Sequence, residues 1–112
     1  MKNEFLLADR ETAEDLRAFL LRAKRMDADG LVRFRAYGRV LAAYVAPIFA
    51  GSLMDSGPTV LGLRTIELLE EAELDGVVQL SAALDRLAKI ISDAEADSVE
   101  LKFEMPITQR AA

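Results

Sequence analysis

Apolar side chains at Leu16, Phe19, Leu20, Ala23 and Met26 recur at spacings of three and four, which lays one stripe along a helix. Two N-terminal caps are open for it, Asp9 or Thr12, the latter with Asp15 three residues on as a capping-box variant. Glu11, Glu14 and Asp15 crowd its first turns and Arg22, Lys24 and Arg25 its last, an order that complements the helix dipole. Asp27-Ala28-Asp29-Gly30 supplies the stop.

The period then changes to two. Tyr37-Gly38-Arg39-Val40 carries glycine at the first central position of a two-residue turn, the type II′ hairpin signature. With the turn there, Ala36 opposes Leu41, Phe34 opposes Ala43, and Val32 opposes Val45, so that face is core. The other face pairs Tyr37 with Val40, Arg35 with Ala42, and Arg33 with Tyr44. A slip of one residue would exchange the two faces, so the pattern itself specifies the register.

Residues 47–58 (PIFAGSLMDSGP) read as a loop between two prolines, apolar through Ile48, Phe49, Leu53 and Met54. Thr59 to Leu69 is predicted as a third strand, with Leu61, Leu63 and Thr65 on one face and Val60, Gly62, Arg64 and Ile66 on the other. Residues 76–80 are either a fourth short strand or the approach to a second helix starting nearer Asp75. In the first case Ser81 caps that helix, whose stripe is Leu84, Leu87, Ala88 and Ile91. Asp93 to Asp97 is a polar break, and the alternation from Val99 to Glu104 predicts a last strand ended by Pro106.

The expectation is a single α+β domain over residues 1–112. An antiparallel sheet of four to five strands carries two amphipathic helices on one face, in the order α-β-β-β-(β)-α-β. The helices would cover Val32, Phe34, Ala36, Leu41, Ala43, Val45, Leu61 and Leu63, leaving Tyr37, Val40, Tyr44 and Ile66 among arginines on an open face.

Composition sharpens this. Of 112 residues 52% are hydrophobic, and six glycines lift the apolar classes further above the roughly 45–50% of an average chain. Net charge is −5, which argues against general attraction to nucleic acid. Residues 1–58 hold nine basic and eight acidic side chains, whereas 59–112 hold five and eleven. The longest apolar run, Val40 to Ala50, is eleven residues and contains Pro47, short of the roughly 18 that a span needs. No secretory pattern follows Met1, so a cytoplasmic protein is expected.

His, Cys and Trp are absent, which removes Ser-His-Asp triads, Cys-His pairs and imidazole or thiolate metal sites. Asp93, Glu95 and Asp97 could chelate a hard cation from a loop but lack the calcium-loop glycine and distal glutamate. Glu67, Glu70, Glu71, Glu73 and Asp75 have nothing to bury them for acid–base work, and Ser52, Ser56 and Ser81 have no base at hand. No catalytic residue, metal site or cofactor is assigned. The candidates are for a ligand or an interface: Arg33, Arg35, Tyr37, Val40, Tyr44 and Arg64 on the open face, with Phe49, Leu53 and Met54 from the loop.

The run Leu53-Met54-Asp55-Ser56-Gly57-Pro58-Thr59-Val60-Leu61-Gly62-Leu63-Arg64 resembles a segment of uncharacterised actinobacterial proteins of unknown function, in which an LLDxxPTVLGMR-like stretch precedes a PLxxLLDRLAR-like helix. The helix counterpart here is Leu80 to Lys89, with Gln79 where the family pattern has proline. The resemblance implies a small cytoplasmic bacterial protein and carries over no site residue. The residues favour a self-associating, homodimeric interaction module without catalytic activity. The alternative is a binding domain for an anionic or aromatic small molecule at the Arg33/Arg35/Arg64/Tyr37/Tyr44 face.

Overall fold

The structure is a computed structural model, and it describes residues 4–46, 62–96, 102–104 and 109–110. The 47–58 loop, with Phe49, Leu53 and Met54, lies outside the described residues. So do Val60, Leu61 and the start of the 99–104 strand.

Among the described residues the order is β1 (Glu4–Leu6), α1 (Arg10–Met26), β2 (Leu31–Tyr37), β3 (Val40–Ala46), β4 (Gly62–Glu67), β5 (Leu74–Gln79), α2 (Leu80–Ala96), β6 (Lys102–Glu104) and β7 (Gln109–Arg110). The architecture is α+β. One antiparallel sheet runs β4-β3-β2-β5-β7, and β1 pairs with β6 in a separate two-stranded ribbon. The last predicted strand therefore forms not in the main sheet but with β1, a three-residue strand too short to show a period in the sequence.

Asp9 is the cap of α1. Its Oδ1 accepts a bond from the Thr12 backbone N–H at 2.7 Å, which holds the Asp9 carboxyl below its ordinary pKa. Thr12 sits inside the helix, so the capping-box start does not form. Leu16, Leu20 and Ala23 are buried, Phe19 is half-buried against the core, and Met26 at the helix end is exposed.

The hairpin follows the predicted register at all seven pairs from Leu31↔Ala46 to Tyr37↔Val40. Gly38 has φ +62° and the following Arg39 is not left-handed, as a type II′ turn requires. A side chain at position 38 would meet no neighbour, so glycine is favoured here by backbone conformation alone.

β4 corrects the sequence reading of its two faces. Leu41 pairs with Ile66, Ala43 with Arg64 and Val45 with Gly62, so these three β4 residues lie on the core face and Leu63 and Thr65 on the open one. Ile66 is buried and Leu63 is 55% exposed. Gly62 gives α1 room: a Cβ there would come within 3.3 Å of the Phe19 ring.

β5 settles the open alternative in favour of a strand, and α2 follows it without a loop. Helix α2 begins at Leu80, so Ser81 is a residue inside it rather than its cap. The Leu80 N–H donates to the Gly30 carbonyl at 3.1 Å, and a Cβ at Gly30 would lie 3.0 Å from Leu80 Cδ1. That Cβ would also lie 3.1 Å from the Asp27 carbonyl oxygen, so a larger residue here requires its neighbours to give by a few tenths of an ångström. Starting at Leu80 shifts the buried stripe to Leu80, Ala83, Leu84 and Leu87, with Ile90 and Ile91 beside it and Ala88 exposed. The helix continues to Ala96, through the predicted break at Asp93.

Both helices and the β1/β6 ribbon lie against the same face of the main sheet. Phe5 stacks on Phe103 with centroids 4.8 Å apart, and both meet Phe34 of β2 at 5.6 and 5.5 Å. Such pairs add about 0.5–1.5 kcal/mol each beyond their buried area. This aromatic cluster ties the ribbon to the sheet.

Candidate functional site

The opposite face of the sheet is the candidate site. Its positions follow from register: Tyr37, Arg35 and Arg33 on β2; Val40, Ala42 and Tyr44 on β3; Glu67, Thr65 and Leu63 on β4; Asp75 and Val77 on β5. Tyr37 is 82% exposed and Val40, directly opposite it, 54%. Leu63 is exposed on the same face but stands beside Tyr44, two cross-strand pairs further along, with Ala42 between. Tyr44 is half-buried against Val77, which is itself buried, and Leu31 completes that small cluster.

The two arginines of this face share one carboxylate unequally. Arg33 holds Asp75 in a bidentate pair, Nε to Oδ1 at 2.7 Å and an Nη to Oδ2 at 2.6 Å. The Arg33 side chain is only 18% exposed, and the carboxylate hydrogen bond raises its pKa above the ordinary arginine value despite the opposing cost of burial. Arg35 reaches the same carboxylate at 3.5 Å but stays 55% exposed. One acidic group thus serves two cations. Arg35, Tyr37, Val40, Ala42 and Tyr44, with Glu73 and Asp75 at the side, line an open depression of about 600 Å³.

Arg64 does not belong to this constellation. Its core-face parity, one residue away from the sequence expectation, sends the guanidinium past the β4 edge to hydrogen-bond Asp15 of α1. The structure brings together Arg33, Arg35, Tyr37, Val40 and Tyr44, separates Arg64, and adds Leu63, Asp75 and Glu73. Asp75 was missed because the β2–β5 pairing is long-range; once that register is known, its place opposite Arg35 follows.

No acid–base pair or chelating loop emerges among the described residues. Glu67, Glu70, Glu71 and Glu73 are exposed, and Asp93 to Ala96 belong to α2 rather than to a loop. An anionic ligand would have to compete with Asp75 for Arg33, at a face where Glu73 also stands. That counts against the small-molecule alternative. No helix among the described residues is long and apolar enough to cross a membrane.

Comparison with curated proteins and with solved structures found no match. A family model described as a domain of unknown function (DUF8010) matches residues 1–110, and the chain belongs to that family.

Proposed function

Starting from that membership, we propose that the protein is a homodimeric interaction module whose open sheet face packs against the same face of a second copy. The observation that carries this reading is the exposure of Tyr37 beside Val40, continued along β3 by half-buried Ala42 and Tyr44 to exposed Leu63, on the sheet face that neither helix covers. Apolar surface of this kind, rimmed by polar groups, is where association gains most.

Two features favour a second copy as the occupant. The chain carries −5 overall, so two copies repel, yet this face sets Arg33 and Arg35 against Asp75, Glu67 and Glu73, a net of only −1. It is the surface on which self-association meets little repulsion. Its extent also comes close to what a dimer needs. Four strands about 4.8 Å apart, with up to seven residues at about 3.4 Å, give on the order of 450 Å² in projection. Two such faces bury on the order of 900 Å² in projection, close to the roughly 1,000 Å² that a specific interface clears.

Gel filtration with multi-angle light scattering at tens of micromolar tests the proposal. The expected mass is twice the 12.3 kDa of the chain. A mass equal to one chain across that range contradicts it.

A further inference from the structure

Arg35 and Glu73 both line the depression on the open face, but they form no ion pair with one another. Glu73 is exposed and has no ion-pair partner among the described residues; Arg35 has only its long contact to a carboxylate already held by Arg33. The centre of the face therefore carries an arginine whose charge is incompletely answered, and its edge carries a carboxylate whose charge is not answered at all.

We infer that Arg35 of each copy pairs with Glu73 of the other, so that two reciprocal ion pairs flank the apolar contact of Tyr37 and Val40. This rests on the homodimer reading above and adds what fixes its geometry. In a twofold contact, any pairing of one position with another occurs twice, so one cation and one carboxylate per chain neutralise both sites. Apolar side chains favour contact in many registers, whereas opposite charges penalise those that bring like charges together. Arg35 suits the role, because its fork retains donors that Asp75 does not use. Glu73, just ahead of β5, can be changed without touching a core position.

Sedimentation equilibrium on the wild type, Arg35→Glu, Glu73→Arg and the double exchange tests the inference. Each single reversal is expected to weaken dimerisation by about tenfold or more, since it sets two like-charged pairs in the interface. The double exchange is expected to recover to within about threefold of wild type, and the wild-type dimer to weaken as salt rises. Arg35→Glu adds a carboxylate beside Asp75 and can disturb the fold, which circular dichroism would reveal. Glu73→Arg against Glu73→Gln carries the test in that case, the reversal weakening the dimer more than the neutral change. A wild-type dimer that both Glu73 variants leave unchanged overturns the inference while the homodimer reading stands. A wild-type monomer overturns both.

Discussion

The two faces of the main sheet are built from the same strands and divide the chain's apolar residues very differently. The covered face takes Val32, Phe34, Leu41, Ala43 and Val45, all buried beneath α1, α2 and the β1/β6 ribbon. The open face alternates Tyr37, Val40 and Leu63 with Arg33, Arg35 and Asp75, so apolar area and paired charge share one surface. Burial on the first face stabilises the fold. Exposure on the second adds nothing to the stability of one copy and costs solubility, unless something covers it.

That contrast can be broken from either side. The largest effect is expected at Phe34→Ala. The ring is fully buried between Phe5 and Phe103, and its removal leaves a cavity where sheet and ribbon meet. A loss of about 3–5 kcal/mol in urea unfolding is expected. Asp75→Asn should cost less, about 1–3 kcal/mol, because it leaves the largely buried Arg33 guanidinium without its carboxylate. Its unfolding midpoint would then fall although the change lies on the open face. Unchanged stability in that variant would mean that Arg33 finds solvent or another acceptor at no cost.

The hairpin was legible because everything that fixes it is local. A two-residue turn phases two strands, and each strand's alternation checks the other's. β4 begins sixteen positions after the end of β3, so no two-residue turn phases it. Its two residue sets, Leu63 with Thr65 and Arg64 with Ile66, are nearly equal in apolar content, so parity could not be read from the strand alone. The decisive facts were tertiary: Phe19 needs the space over Gly62, and Arg64 finds Asp15 across the helix interface. The β1–β6 ribbon joins opposite ends of the chain through three-residue strands, which leave almost no periodic signal. Of the candidate face, its tyrosines and two of its arginines were legible from the hairpin; the acid that neutralises them was not, since it lies on a strand brought alongside by long-range pairing.

Tyr37→Glu tests the division between the faces most directly. The residue is among the most exposed on the open face and touches no core position, so its unfolding free energy in urea, read at a dilution where wild type and variant are both monomeric, should stay within about 0.5 kcal/mol of wild type. Sedimentation velocity at tens of micromolar should show a dimer for the wild type and a monomer for the variant. A variant that remains dimeric at the same concentration, or a wild type that is already monomeric, would contradict the account.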